Sequence, residues 1–230
     1  GFRMTGGGLR MTGRRAQDDG EGGSGRRERG AEVGVVEGVE EEFLATLRRV
    51  GALKDGHFLL SSGRHSDRYI EKFDLLRQPR AAEAACRQIA ERFAGAGIDV
   101  VVGPTTGGIL LAFEVARQLG TAAAYAERDE GTKTRVFRRG QTFAPGTRVL
   151  LVDDILTTGG AVRETLAALA EQPVTVAAIA VLVDRSGGAV AFEAPLFALA
   201  TIEVATWAPE ECPLCAAGVP LVKPGTTPGI

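Results

Sequence analysis

Cysteines and long apolar runs are scarce in this sequence, and each scarcity excludes a class of protein. The three cysteines, Cys86, Cys212 and Cys215, are too few for a disulfide scaffold, so the cytoplasm is the expected compartment. No apolar run approaches the roughly 20 residues that span a bilayer, and no membrane association is expected. The net charge of -2 does not indicate a nucleic-acid partner.

The beginning of the chain differs from the rest in composition. Residues 1–38 are rich in Gly, Arg, Asp and Glu and have almost no apolar periodicity. Such a stretch cannot bury enough surface to offset the entropy lost on ordering. We therefore interpret 1–38 as a disordered tail without a catalytic role and 39–230 as one folded domain.

In the second half of the chain, uniformly apolar segments alternate with amphipathic ones. Strands are predicted at 100–102, 122–126, 148–152, 174–183 and 196–207, with helices over 109–119 and 161–170. Uniformly apolar strands are typical of a parallel sheet that helices cover on both faces. The predicted fold is α/β, a doubly wound and mainly parallel sheet whose ligand lies at the carboxyl ends of the strands.

Two parts of the chain fall outside this alternation. A helix beginning at Val39 and two short strands around a polar turn indicate, with the C-terminal residues, a small hood built from about 39–75 and 196–230. The polar stretch 127–145 is too long for an ordinary connection, which predicts a flexible lid loop or a hairpin.

The segment 149–161 combines the features of a phosphate site. The strand is predicted to end at Val152, so that Asp153 and Asp154 emerge at its carboxyl end. The turn at 157–161, rich in Thr and Gly, opens directly into a helix whose first N–H groups form an anion site. Because carboxylates repel phosphate, we expect the two acids to face a ribose diol or a divalent metal. The alternative is a buried strand followed by solvated acids and an ordinary Thr-capped helix.

Other nucleotide-binding patterns do not fit. The chain lacks the Gly-Lys-Ser/Thr of nucleoside-triphosphate loops and the dinucleotide fingerprint. Instead, 149–162 resembles the phosphoribosyl-pyrophosphate loop of the type I phosphoribosyltransferases. Within that superfamily the chain resembles the orotate phosphoribosyltransferases over about residues 40–225. This second resemblance rests on four further collinear stretches: Gly-His-Phe-Leu-Leu-Ser-Ser-Gly-Arg-His-Ser at 56–66, Val-Gly-Pro-Thr-Thr-Gly-Gly at 102–108, Ala-Glu-Arg at 126–128 and Val-Asp-Arg at 183–185.

The resemblance implies an activity and a role for individual residues. The activity is transfer of the 5-phosphoribosyl group from phosphoribosyl pyrophosphate to orotate, with Mg²⁺, in a homodimer with shared active sites. The implied catalytic residues are Asp153 and Asp154, which hold the ribose hydroxyls, and the lid cations Arg128 and Lys133. The implied substrate ligands are Thr157, Thr158, Gly159, Gly160 and Ala161 for the 5-phosphate, Thr105, Thr106, Gly107 and Gly108 for pyrophosphate, and Arg185 for the orotate carboxylate. The alternative for Arg185 is a surface arginine that caps a strand end.

The chain departs from one branch of the family in its cations. Ser61 and Gly107 stand where that branch has lysines, and residues 129–134 replace the lysines and histidine of its lid. The motif Arg138-Arg139-Gly140 resembles a second bacterial branch. Two alternatives therefore stay open: a transferase for another base, purine or uracil, and a non-catalytic regulator that senses phosphoribosyl pyrophosphate.

The histidines and the C-terminal cysteines receive structural interpretations. His57 and His65 are interpreted as ordering their loops by hydrogen bonds, with general-base catalysis as the alternative. Cys212 and Cys215 have the spacing of half a zinc site, but a tetrahedral site needs about four ligands. Because there is no second Cys pair, we interpret this motif as a turn in the tail, unless two subunits combine, and assign no metal ligand.

Overall fold

The structure is a computed structural model that describes residues 38–224. The predicted disordered tail, apart from Gly38, lies outside the described residues, as do 225–230. Within the described part, no helix is both long and apolar enough to cross a membrane. The elements in chain order are α1 (Val39–Arg49), β1 (Leu53–Leu59), β2 (His65–Ile70), α2 (Lys72–Leu76), α3 (Pro79–Phe93), β3 (Val100–Pro104), α4 (Gly107–Leu119), β4 (Ala122–Arg128), β5 (Arg135–Val136), β6 (Thr147–Leu156), α5 (Gly160–Ala170), β7 (Val174–Asp184), β8 (Leu196–Thr201), β9 (Thr206–Trp207), a 3-10 turn (Pro209–Glu211) and α6 (Pro213–Ala216).

A six-stranded sheet forms the centre of the molecule, in the order β5-β4-β3-β6-β7-β8. Only β5 is antiparallel to its neighbour among these strands. The central strands carry aliphatic side chains without exposed surface, such as Val101, Leu150 and Ile179. Such side chains occur on both faces of a strand when both faces of the sheet are covered.

Helices supply that cover on the two faces. On one face, Phe43 of α1 and Ile89 of α3 pack with α4 against the strands. On the other face, Val162 and Leu169 of α5 form a separate apolar cluster with the sheet. The sheet is therefore doubly wound, and the predicted fold class is confirmed.

A smaller antiparallel sheet, here called the hood sheet, has the order β1-β2-β9. It combines strands from both ends of the described chain. The C-terminal segment also runs beside β1, because Val222 donates to the His57 carbonyl and accepts from Leu59 N–H, each at 2.8 Å. The hood sheet thereby joins residues far apart in sequence.

Two predicted strand boundaries were wrong. β6 does not end at Val152 but continues through Asp153 to Leu156, because β7 pairs with it along this stretch. The strand predicted at 196–207 is two strands in different sheets, since β8 pairs with β7 and β9 pairs with β2. In both places long-range pairing decides the backbone, and local composition does not.

Candidate active site

The winding of the large sheet reverses between β3 and β6. From β3 the chain continues to β4 on one side, whereas β6 lies on the other side of β3 and leads to β7. Pairing between the two strands ends at Val102 and Leu151, and both strands continue beyond those residues. A crevice therefore opens at their carboxyl ends, which is where open α/β sheets bind their ligands.

Asp153 and Asp154, the acid pair, lie on the β6 side of this crevice and are both buried. Oδ1 of Asp153 accepts the backbone N–H of Asp154, and Oδ1 of Asp154 accepts that of Ile155, each at 2.8 Å. Burial raises the pKa of Asp153 to about 7, and the charge of Asp154 adds to the increase. Ionisation of Asp153 is therefore unfavourable in the folded protein, and a nearby cation or a hydroxyl donor would make it less so.

Lys72, the first residue of α2, supplies one such cation. Its Nζ lies 2.8 Å from Oδ2 of Asp154 and donates to Oδ1 at 3.1 Å. The same charge lowers the pKa of Asp153. The Lys72 side chain keeps 36% of its surface exposed, so it can also meet a ligand in the crevice.

The turn at 157–161, here called the phosphate loop, leads from β6 directly into α5. Thr157, Thr158 and Gly160 are exposed, whereas Gly159 is buried with a left-handed backbone, φ 77°. A Cβ at Gly159 would lie 2.9 Å from Arg163 Nη1, so no larger residue fits without a shift. The N–H groups of this first turn have no acceptor within their own helix, which makes the turn an anion site.

The loop at 105–108, here called the pyrophosphate loop, follows β3 and faces the acid pair. Thr105 N–H donates to the Ala126 carbonyl at 3.1 Å, and Thr106 directly precedes α4. A Cβ at Gly107 would lie only 1.9 Å from Oδ2 of Asp154. The structure thus packs this loop against the acid pair. It also explains why a lysine, present here in one branch of the family, does not fit this arrangement.

Arg135 connects the pyrophosphate loop to α5. It is buried, its Nη1 donates to Thr105 Oγ1 at 3.1 Å, and its Nε lies 3.4 Å from Oε2 of Glu164. In the sequence it stands close to Arg138 and Arg139, and no local pattern distinguishes it from them. Burial separates Arg135 from those two exposed residues and assigns it to the crevice.

Residues 127–136 form a short hairpin, here called the lid hairpin. Residues 137–145 lead from it to β6, and Phe137 and Phe143 in this segment pack against the core. Arg128 pairs with Arg135 across β4 and β5, and its Nη2 lies 3.9 Å from Oε1 of Glu164. Lys133 lies at the exposed turn, 3.5 Å from Oε2 of Glu130. Of the two predicted lid cations, the structure places Arg128 beside the elements that line the crevice and Lys133 at the tip. Motion of the hairpin stays a prediction.

Arg185 follows β7 at the same edge of the sheet. Its N–H donates to the Leu156 carbonyl at 2.8 Å, and Oδ1 of Asp184 accepts the N–H of Ser186 at 2.7 Å, which orders the turn. The side chain is half-buried, and its Nε has no hydrogen-bond partner among the described residues. Burial lowers the pKa of Arg185, and Tyr69 of the hood sheet opposes this effect. A buried guanidinium nitrogen without an acceptor suits an anionic ligand.

Four residues of this region carry no motif in the sequence: Tyr69, Lys72, Arg135 and Glu164. Tyr69, Lys72 and Arg135 belong to elements remote in sequence from the acid pair, and Glu164 is one charged residue on the partly exposed face of α5. The only signal for Tyr69 and Lys72 was their position just after the family-like stretch at 56–66. For Arg135 the signal was its place among the arginines of the lid, which gave no indication of burial.

The sequence and the fold were compared with those of known proteins. Residues 74–214 match the model of the phosphoribosyl transferase domain. An orotate phosphoribosyltransferase from Pelotomaculum thermopropionicum is 50% identical over 188 residues, which cover 82% of this chain and 98% of the relative. One from Chlorobaculum parvum is 45% identical over 82% of this chain and 96% of its own. The crystal structure of orotate phosphoribosyltransferase from Aeropyrum pernix superimposes with a TM-score of 0.57 at 30% identity, covering 69% of this chain and 92% of that chain.

Proposed function

This chain belongs to the orotate phosphoribosyltransferase family, and on that premise we propose how its residues carry out the reaction. The enzyme transfers the 5-phosphoribosyl group of phosphoribosyl pyrophosphate to orotate and releases pyrophosphate, a step in pyrimidine biosynthesis. One observation carries the assignment of residues: the buried acid pair precedes the phosphate loop, with two residues between them, at the point where the sheet reverses its winding.

The acid pair and the phosphate loop hold the two ends of the ribose. The carboxylates of Asp153 and Asp154 accept hydrogen bonds from the sugar hydroxyls, each worth about 1.5–3 kcal/mol because the acceptor is charged. Thr157 and Thr158 offer hydroxyl donors, and the first N–H groups of α5 offer backbone donors to the 5-phosphate. The ribose is thereby fixed with its C1 atom toward the centre of the crevice.

The reaction breaks the bond between C1 and the pyrophosphate oxygen, and the electron pair leaves with pyrophosphate. Positive charge then develops on the sugar, and a ring nitrogen of orotate forms the new bond to C1 and gives up its proton, which the leaving pyrophosphate can accept. The protein positions the reactants and neutralises the leaving group. Among the residues that the structure describes, we assign Lys72 and Arg128 to this task, and Arg135 holds the pyrophosphate loop in place through Thr105.

Mg²⁺ fits the donor set of the crevice. Asp153 and Asp154 are buried carboxylates, and carboxylate and phosphate oxygens are the ligands that this ion prefers. Bound there with the substrate, Mg²⁺ would reduce the negative charge that develops on pyrophosphate. The ion stays a prediction, supported by the chemistry of these two side chains.

Arg185 is the residue that we assign to the base. Orotate carries a carboxylate, which a guanidinium can bind through two parallel hydrogen bonds. The partnerless, buried Nε of Arg185 provides one of those donors, and Tyr69 lies near enough to interact with its charge. An uncharged purine or uracil would leave this cation without a partner, which favours orotate.

We also propose that the enzyme is a homodimer with shared active sites. Phe113 and Leu110 lie on the outer face of α4 and are 65% and 50% exposed. Two large apolar side chains on one helix face are typical of a surface that a partner covers. Size-exclusion chromatography with light scattering tests this, and Phe113→Glu should shift the enzyme toward the monomer.

The cytoplasmic location and the absence of a nucleic-acid partner stay predictions.

The base is tested by measuring pyrophosphate release with orotate, uracil, adenine, hypoxanthine and guanine. Of these five bases, we expect only orotate to give pyrophosphate release. In Arg185→Ala the orotate KM should rise about 100-fold, because loss of a charge-assisted bond costs about 1.5–3 kcal/mol. Its affinity for phosphoribosyl pyrophosphate, measured by calorimetry, should stay within about twofold of the wild type, a change of well under 1.4 kcal/mol. Arg87→Ala, which alters an exposed arginine of α3, is the control.

The alternatives predict other results. A wild type that prefers an uncharged base would be a transferase of different specificity. A protein that binds phosphoribosyl pyrophosphate but releases no pyrophosphate with any base would be a regulator.

A further inference from the structure

Four side chains with metal-binding atoms meet beside the hood sheet, and none of the four belongs to the acid pair or its loops. They are His57 of β1, His65 of β2, Cys212, which directly precedes α6, and Cys215 within α6. Their ligand atoms all lie within 4.8 Å of one another. We propose that this cluster is a structural zinc site, independent of the function proposed above.

The distances fit a tetrahedral ion. His57 Nε2 lies 3.0 Å from His65 Nδ1, 3.4 Å from Cys212 Sγ and 3.7 Å from Cys215 Sγ, and Cys215 Sγ lies 3.3 Å from His65 Nδ1. Ligand atoms around tetrahedral zinc lie about 3.3–3.8 Å apart, given the usual zinc–nitrogen and zinc–sulfur bond lengths. Small adjustments of the side chains are enough to enclose the ion.

A hydrogen bond to the backbone orients the His57 ring for binding an ion. Its Nδ1 donates a hydrogen bond of 2.8 Å to the Val219 carbonyl. The proton is therefore on Nδ1, and the lone pair of Nε2 faces the cluster. Histidine ligands of zinc commonly donate their other ring N–H to a carbonyl or carboxylate in this way, which fixes the tautomer and orientation of the ring.

The ligand types favour zinc over the Mg²⁺ of the catalytic reaction. The set consists of two imidazoles and two thiols, and Mg²⁺ prefers oxygen ligands. His57, His65 and Cys212 are 2%, 5% and 3% exposed, whereas Cys215 is exposed, so three of the four ligands are shielded from water and the fourth closes the cluster on its solvent side. Four protein ligands leave no position for a substrate, which is typical of structural and not of catalytic zinc sites.

A bound ion would link the N-terminal and C-terminal segments of the hood. The ligands come from the β1–β2 hairpin and from residues about 150 positions later. The hairpin leads through Tyr69 into Lys72, which contacts the acid pair. The ion would thus hold in place the part of the hood that contributes Lys72 to the crevice, without touching the substrates.

The spacing of Cys212 and Cys215 was interpreted above as a turn, because a second Cys pair was lacking. The missing half of the site is provided by the two histidines, which are near in space and far in sequence. The turn itself is present, as the single-turn helix α6.

The test is the metal content of the full chain after removal of any affinity tag. We expect about one zinc ion per chain by mass spectrometry, and below about 0.1 in Cys212→Ser and in Cys215→Ser. The control is Cys86→Ala, since Cys86 is the remaining cysteine and lies in the core of α3. It should retain the zinc.

A second measurement covers the case in which the serine variants fail to fold. The wild type refolded with Co²⁺ in place of zinc should show the intense visible bands of a tetrahedral site with thiolate ligands, and zinc should displace them. Zinc removal should also lower the Tm. A wild-type chain that holds no stoichiometric metal after refolding with zinc, or serine variants that retain it fully, would overturn the proposal.

Discussion

Lys72 Nζ lies 2.8 Å from Oδ2 of Asp154, and this ion pair joins the hood to the carboxyl end of β6. Asp154 is almost fully buried, whereas Lys72 remains partly exposed toward the crevice. The lysine therefore stabilises the ionised acid pair, and under the proposed function it also presents a cation to the leaving pyrophosphate. Removing it leaves a buried carboxylate without its charged partner.

We expect Lys72→Met to lower kcat/KM for phosphoribosyl pyrophosphate about 10- to 100-fold, equivalent to about 1.4–2.8 kcal/mol. Lys54→Met is a matched control, because Lys54 makes an ion pair of the same length, 2.8 Å, with the buried Asp74 in the hood. That variant should lose stability but keep its kcat/KM. Equal kinetic losses in the two variants would mean that the Lys72 ion pair is only structural.

The raised pKa of Asp153 predicts how stability depends on pH. Its ordinary pKa of 3.8 rises to about 7 in the folded state, chiefly through burial. Between these values the native state binds more protons than the unfolded state, so the free energy of unfolding falls as pH rises. The contribution is fully present below about pH 4 and is lost as pH rises through about 7, with a size on the order of 4 kcal/mol.

Asp153→Asn should remove this contribution, because the amide does not titrate. In buffer without Mg²⁺ or substrate, urea denaturation at pH 8 should find the variant more stable than the wild type, and the two should converge toward pH 4. The variant should nevertheless bind phosphoribosyl pyrophosphate less tightly. If the difference in stability does not depend on pH, Asp153 is ionised throughout this range.

The large sheet could be predicted from the sequence because its strands are uniformly aliphatic and its helices have a clear apolar face. The boundaries could not be predicted in the same way. Nothing in the composition of Asp153 and Asp154 favours a strand, and their extended backbone comes from pairing with β7. Likewise, 196–207 is apolar enough for one strand, yet its two ends pair with different sheets.

Active-site residues that are contiguous in the sequence could be predicted from it. Those that come together only in the folded structure mostly could not. The acid pair and the phosphate loop occupy one short segment, which made their chemistry visible. Lys72 lies 82 residues before Asp154, and no local pattern connects them. Arg135 was visible as a charge, but its burial depends on β5 pairing with β4. Long-range contacts of this kind have no signature in a single sequence.

The lid hairpin provides a comparison between two cations. Arg128 lies near Glu164 at the base of the hairpin, and Lys133 lies at its exposed tip. We expect Arg128→Ala to lower kcat at least about tenfold with the orotate KM nearly unchanged, because the cation meets charge that grows in the transition state. Lys133→Ala should have a smaller effect. A loss in Lys133→Ala as large as that in Arg128→Ala would show that the hairpin closes during turnover and carries its tip to the pyrophosphate.

Gly107 tests whether the pyrophosphate loop and the acid pair are packed as described. A methyl group at this position would lie 1.9 Å from Oδ2 of Asp154 and 3.2 Å from Cδ1 of Leu76. We therefore expect Gly107→Ala to displace the Asp154 carboxylate from Lys72. The affinity for phosphoribosyl pyrophosphate, measured by calorimetry, should fall at least about 30-fold, or about 2 kcal/mol. Overpacking should also lower the Tm, while circular dichroism shows a folded chain.

The control for this substitution is Gly131→Ala in the lid hairpin. There the new methyl group would meet only the end of the Asp129 side chain, at 3.3 Å, so a shift of a few tenths of an ångström is enough to accommodate it. Its affinity for phosphoribosyl pyrophosphate should match the wild type. A Gly107→Ala variant that also binds with wild-type affinity would contradict the close packing of Gly107 and Asp154. The two sides of the crevice would then be further apart than the structure places them, and a lysine at position 107, as in the other branch of the family, would be tolerated.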